Sequence, residues 1–138
     1  MKTKPAYVLS AAQGSDYRQG TVAHNDEDYA TSNFKTVAKR LYGMAGVSPK
    51  DVDVAQVYEN FTGGVVMSIV EHGFCAPEEA NDFVTFDNLK FDGGKLPLNT
   101  NGGGILYTHT GMYGMFAIQE SVRQLRGEAF RQVDGVKT

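Results

Sequence analysis

Two short stretches of the 138-residue sequence carry the side chains best suited to chemistry. The first is Tyr58-Glu59-Asn60-Phe61-Thr62, which sets a phenol, a carboxylate and an amide side by side. The second is Thr108-His109-Thr110-Gly111-Met112-Tyr113-Gly114, which follows the glycine run Gly102-Gly103-Gly104. An imidazole such as His109 titrates near neutral pH and can donate to a developing oxyanion. The phenols of Tyr58 and Tyr113 can act as acid or base, or donate to a carbonyl, but most tyrosines are amphipathic packing residues and that reading stays open for both. Glycine clusters mark turns or places where backbone approaches another group closely. His24 and His72 have no companions at metal-ligand spacing, and neither a phosphate-binding loop nor a dinucleotide fingerprint is present. The single cysteine, Cys75, leaves no internal disulfide and no cysteine-based zinc site, and reads as a structural thiol.

The elements that must position these groups follow from spacing. Ala6 to Leu9 reads as a strand and the polar stretch 15–30 as a surface loop. Thr31-Ser32-Asn33 offers caps for a helix over about 33–45, where Phe34, Val37, Ala38, Leu41 and Ala45 share a face, and Gly46 closes it. Ser48-Pro49 predicts a short helical turn, and Val52, Val54 and Val57 a buried strand running into Tyr58. Val65, Val66, Ile69 and Val70 give a second helix face with Gly73 as its cap. Residues 76–98 read as irregular and 104–109 as a strand. Met115, Ile118, Val122 and Leu125 give a last helix ending at Gly127, with Arg123 and Arg126 in its final turn. Strands alternating with helices predict a single α/β domain over 1–138 with crossover helices.

Composition narrows the function classes. Apolar residues at 41% and charged residues at 21% fit a soluble globular protein. A net charge of −3 and a pI near 5.5 give no reason to expect nucleic acid or an anionic membrane. No apolar run is long enough to span a membrane and no signal-peptide core is visible, so a cytoplasmic location is the expectation.

Four segments, in order, resemble the C-terminal half of the sterol-carrier and lipid-transfer branch of the thiolase superfamily. Tyr58-Glu59-Asn60-Phe61-Thr62 resembles that branch's His-Asp-Cys-Phe-Thr loop, and Gly73-Phe74-Cys75 its Gly-Phe-Cys element. Leu96-Pro97-Leu98-Asn99-Thr100-Asn101-Gly102-Gly103 resembles its Leu-Pro-Val-Asn-Thr-Ser-Gly-Gly strand and turn, and Val122 to Ala129 the end of its last long helix.

The resemblance implies one βαβαβαββ half of a layered thiolase fold, with its last strands expected to be lacking. The half that carries the reacting cysteine is expected on a thiolase-like partner chain or on a missing part of this one. It implies a role in acyl transfer or retro-aldol cleavage of an acyl-CoA thioester, with coenzyme A entering as part of the substrate and no separate cofactor or metal. His109 stands where the family's Gly-His-Pro histidine polarises the thioester, in a segment about one residue shorter than usual. Tyr58 replaces an Asn or His that holds a catalytic water or orients the oxyanion, and Asn60 replaces a Cys. Glu59 is expected to orient neighbouring backbone or His109, with a solvated carboxylate as the alternative. Asn99, Asn60 and Gly102, Gly103 and Gly104 are the candidate substrate-binding positions, the glycines serving the pantetheine arm or the close packing of turns. Tyr58 and Tyr113 together resemble the steroid side-chain aldolase offshoot, which works beside an OB-fold partner of the DUF35 type. The rival reading is a non-catalytic thiolase-fold subunit that binds lipid acyl groups or completes a partner chain.

Overall fold

The computed structural model describes residues 3–15, 33–59, 61–107 and 113–138. Helix α1, Phe34–Ala45, forms where the apolar spacing predicts, and buries Ala38. Asn33 is its N-cap residue but makes no side-chain capping bond. The carboxylate of Glu71 takes that task from the end of α2, Thr62–Glu71, accepting the Phe34 amide at 2.7 Å. A negative group at the positive end of α1 is favourable, and it fastens the two helices together. Beside it the His72 ring lies 4.9 Å from the Phe34 ring, with its Nδ1 2.8 Å from the Ser68 carbonyl. Gly46 ends α1 with φ 69°, and its amide returns to Tyr42 O at 2.9 Å. Ser48 and Asp51 cap each other around the 3₁₀ turn Pro49–Asp51, the carboxylate accepting from Ser48 N at 2.7 Å and from its hydroxyl at 2.6 Å. These two bonds hold the Asp51 carboxyl below its ordinary pKa.

The chain then runs through Ala55, which bridges Leu98 in parallel; no longer ladder forms among the described residues. Ala55 N donates to Pro97 O at 2.9 Å, and Asn99 N donates to Ala55 O at 3.0 Å. On its other side the 96–98 segment pairs with 88–89, Leu96 N to Asn88 O and Leu98 N to Leu89 O. Leu96 and Ile69, 2% and 0% exposed, sit at the centre of the small core.

Residues 76–98, read from sequence as irregular, hold three short helical turns: Pro77–Glu79, α3 (Ala80–Phe83) and α4 (Phe86–Leu89). Pro77 at a first-turn position, Glu79 bonding Ala76 N and the Thr85 hydroxyl capping Asn88 N explain them. The 104–109 strand expectation is corrected where the chain is described, because Gly103–Tyr107 forms helix α5.

Helix α6, Tyr113–Arg126, ends at Gly127, φ 74°, as its spacing predicts. Its buried face, however, carries Glu120 and Gln124, while Met115 and Ile118 are exposed. Residues 6–9, expected as a strand, form no ladder; this stretch lies along α6, with Arg126 Nε donating to Lys4 O and Lys4 Nζ to Leu125 O. The loop expected over 15–30 lies, from residue 16 on, outside the described residues. Among the described residues no helix is long and apolar enough to cross a membrane.

Candidate functional site

The parallel bridge at Ala55 and Leu98 delivers two chain ends to the same place: Val57-Tyr58-Glu59 and Asn99 to Gly103. At Asn99 the backbone leaves the ladder direction, with φ 47°. Its side-chain amide then makes the two bonds to Val57 that a further strand residue would have made. Oδ1 accepts from Val57 N at 2.8 Å, and Nδ2 donates to Val57 O at 3.0 Å. Asparagine suits both demands, since it tolerates the left-handed region and carries one donor group and one acceptor.

Burial alternates along the approaching segment. Tyr58 is 48% exposed and Glu59 only 8%. The two residues therefore work on opposite sides of the chain. Glu59 turns inward as a brace: Oε2 accepts from Asn99 Nδ2 at 3.1 Å, and Oε1 from Ile105 N at 3.2 Å. That second bond satisfies an otherwise orphan amide in the first turn of α5. Gly103, φ 70°, lies so close that a Cβ there would collide with Glu59 Oε1 and stand 2.8 Å from Cδ. Gly102, φ 97°, has the same relation to the Leu106 side chain, and its amide closes a turn onto Asn99 O at 2.8 Å. Conformation favours glycine at both positions, and at Gly103 space requires it as well. Glu59, Asn99 and Gly103 thus form one cradle that sets the direction in which α5 leaves the turn.

A second polar cluster, which sequence reasoning missed, lies beneath the cradle. Thr100, Glu120 and Gln124 are 4%, 4% and 1% exposed. The Thr100 hydroxyl donates to Glu120 Oε1 at 2.6 Å and accepts from Gln124 Nε2 at 3.0 Å and Gln56 Nε2 at 3.1 Å. Gln124 also reaches Arg131 O at 2.7 Å and accepts from Val133 N at 2.9 Å. Glu120 and Gln124 stand four apart on one helix face, and that spacing was the available signal. No buried side-chain nitrogen or oxygen among the described residues lacks a partner. The cluster therefore fixes Thr100, and through it the Asn99 turn, against α6.

Of the candidate residues, the structure brings together Glu59, Asn99, Gly102 and Gly103, with Gly104 following in α5 and Tyr58 on the outer side of the same segment. Asn60 and His109 lie outside the described residues. Tyr113 is the first residue of α6, and its side chain too lies outside the described residues. Cys75 sits apart from this site, half-buried, its thiol pushed to a higher pKa by burial and by the Glu79 carboxylate. Among the described residues no group of three His, Cys, Asp or Glu side chains could hold a metal ion.

The sequence profile of the family described as thiolase C-terminal domain-like matches residues 15–138. A steroid side-chain-cleaving aldolase of Thermomonospora curvata is 40% identical over 132 residues, covering 93% of this chain and 32% of the relative. A 17-hydroxy-3-oxo-4-pregnene-20-carboxyl-CoA lyase of Mycobacterium tuberculosis is 36% identical over 141 residues, covering 99% of this chain and 35% of the relative. Among solved structures, a chain of the Ltp2-ChsH2(DUF35) aldolase superposes with a TM-score of 0.86 at 37% identity, covering 98% of this chain and 35% of that one. The chain thus spans about a third of the length of these relatives. With the fold and the family profile in agreement, this chain belongs to the thiolase C-terminal domain-like family.

Proposed function

We propose that this chain is the C-terminal part of a thiolase-like enzyme that cleaves a steroid-derived β-hydroxyacyl-CoA by a retro-aldol step. The observation that carries this reading is the 40% identity, over 93% of the chain, with a steroid side-chain-cleaving aldolase. A half-exposed phenol at position 58, beside a carboxylate committed to bracing backbone, is consistent with it.

In such a step a base takes the β-hydroxyl proton and the carbon–carbon electron pair passes to the α-carbon. The charge is held as a thioester enolate, and the α-carbon then takes up a proton. The chemistry needs one base and one donor at the enolate oxygen. Tyr58 is assigned one of these roles, and His109 and Tyr113 are the candidates for the other. Glu59 and Asn99 are positioning residues that hold the Tyr58 segment and α5. No acyl-cysteine is required.

The reading includes the layered βαβαβαββ sheet of the family, supported by the parallel Ala55–Leu98 bridge and the TM-score of 0.86. It includes a thiolase-like N-terminal half, supported by the one-third coverage of the relatives, and a DUF35-type partner like the one named with the solved aldolase. A cytoplasmic location belongs to it as well.

The test uses the protein as isolated from its host, with any chains that accompany it, incubated with 17-hydroxy-3-oxo-4-pregnene-20-carboxyl-CoA. Mass spectrometry is expected to find a steroid ketone and a short acyl-CoA formed without free CoA, and Tyr58→Phe to lower kcat about a hundredfold. Cleavage that consumes free CoA would instead assign thiolysis. No turnover, or Tyr58→Phe at the wild-type rate, would overturn the reading.

A further inference from the structure

The strand-end turn that bears the cradle also walls a separate cleft. Its volume is about 760 Å³, within the roughly 300–1,000 Å³ of small-molecule sites. Phe86 and Leu89 from α4, Phe91 beyond it, Leu98 and Thr100 from the turn, and Arg131 line it. Phe86 is 82% exposed and Phe91 38%, so both aromatic residues reach solvent at the cleft. The Arg131 guanidinium carbon stands 5.8 Å from the Phe91 ring centroid, which holds this cation at the wall of the cleft.

The polar groups restrict what the cleft can take. Lys90 is committed to Asp87 at 3.0 Å, whereas Arg131 pairs with no carboxylate among the described residues. Asp92 also lines the cleft, so a polyanion such as a nucleotide phosphate would meet a like charge there. The lining fits an uncharged ligand that is flat, rigid and apolar, with one oxygen acceptor for Arg131. A flat apolar body suits the aromatic and aliphatic side chains of the wall, and the acceptor matches the guanidinium.

We propose that this cleft is a specificity site for the fused-ring body of the acyl group, with a keto oxygen on that body accepting from Arg131. The assignment rests on the functional reading above and deepens it by placing the steroid portion. Asn99 joins the two places, because it lines the cleft while its side chain holds Val57, the neighbour of Tyr58. A ring body seated on Phe86 and Phe91 would therefore lie against the same Asn99 turn that holds the Tyr58 segment.

The test compares wild type, Phe86→Ala and Arg131→Met on two substrates. One is the 3-oxo steroid thioester, and the other is 3-hydroxybutyryl-CoA, which has the β-hydroxy thioester without the rings. Each variant is expected to raise KM for the steroid thioester about tenfold while kcat/KM for the short substrate stays within about twofold. Phe86 is exposed, so its loss should not disturb folding. Calorimetric titration with a 3-oxo-4-ene steroid that lacks CoA separates this proposal from the functional reading. Steroid binding that weakens in both variants supports the cleft even in a protein that cleaves nothing. Cleavage of the steroid thioester with KM and steroid binding unchanged in both variants would overturn the cleft and leave the retro-aldol reading standing. Absence of steroid binding and of turnover would overturn both.

Discussion

Replacing Asn99 by alanine removes three hydrogen bonds, of 2.8, 3.0 and 3.1 Å, to Val57 N, Val57 O and Glu59 Oε2. Each is worth about 1 kcal/mol net, and alanine, which lacks asparagine's tolerance of the left-handed region, adds up to about 1 kcal/mol of strain at the positive φ. The expected loss is about 4 kcal/mol, a large share of a typical domain stability of about 5–15 kcal/mol. Asn99→Gly removes the same bonds but tolerates φ 47°, so it should lose about 3 kcal/mol. Amide hydrogen exchange is the appropriate assay because it reads the cradle locally. Val57 N–H is held by Asn99 and Ile105 N–H by Glu59, so the Val57 amide should exchange up to about a thousandfold faster in Asn99→Ala, with Ile105 following in the same direction. Asn99→Asp adds a sign. It keeps an acceptor for Val57 N, loses both donated bonds and sets a second carboxylate against Glu59. At neutral pH that repulsion should make Asn99→Asp at least as destabilising as Asn99→Ala. Wild-type exchange at Val57 and Ile105 in Asn99→Ala, or an Asn99→Asp variant as stable as wild type, would refute the cradle.

Three further outcomes follow from neighbouring geometry. Gly103→Ala should cost about 3 kcal/mol or more, read as lost protection across α5, because its Cβ meets Glu59 Oε1 at φ 70°; Gly104→Ala, measured alongside, should cost less. Thr100→Val should cost about 2–4 kcal/mol in urea unfolding, since it strips the buried Glu120 carboxylate of a 2.6 Å donor, and Thr100→Ser should restore most of the loss. The raised pKa of Cys75 means that iodoacetamide should modify it more slowly than a free thiol at pH 8; Glu79→Gln should quicken the reaction slightly, by removing the smaller of its two causes.

What the sequence makes legible here is what is encoded locally. α1, Gly46, the Ser48-Pro49 turn, α2 and α6 with Gly127 all follow from apolar spacing and end signals contained within a dozen or so residues. The stretch after Gly102 shows the opposite case. Gly104-Ile105-Leu106-Tyr107 has the composition of a strand, yet its first-turn amide is taken by a carboxylate 46 residues away, and the segment coils. Ala6 to Leu9 likewise has strand composition, but a strand also requires a partner edge, which composition does not report. The inward face of α6 was misjudged because Glu120 and Gln124 resemble solvent residues until Thr100 and Gln56 arrive to satisfy them. For the site, the family resemblance pointed to Glu59, Asn99 and the glycines, while the direction in which each side chain turns needed three dimensions.

The bonds of the Glu59–Asn99 cradle join residues 40 to 46 positions apart in the chain. Closing loops of that length costs entropy before any of the bonds can form, whereas α1, α2 and α6 draw on contacts within a turn or two. The cradle therefore belongs to the late part of folding, after the helices and the barrier they help to cross. Damage there should leave the rate of reaching a compact state nearly unchanged and act mainly on how long that state survives. The segment that carries Tyr58 would in that case become ordered after the helices and be lost before them.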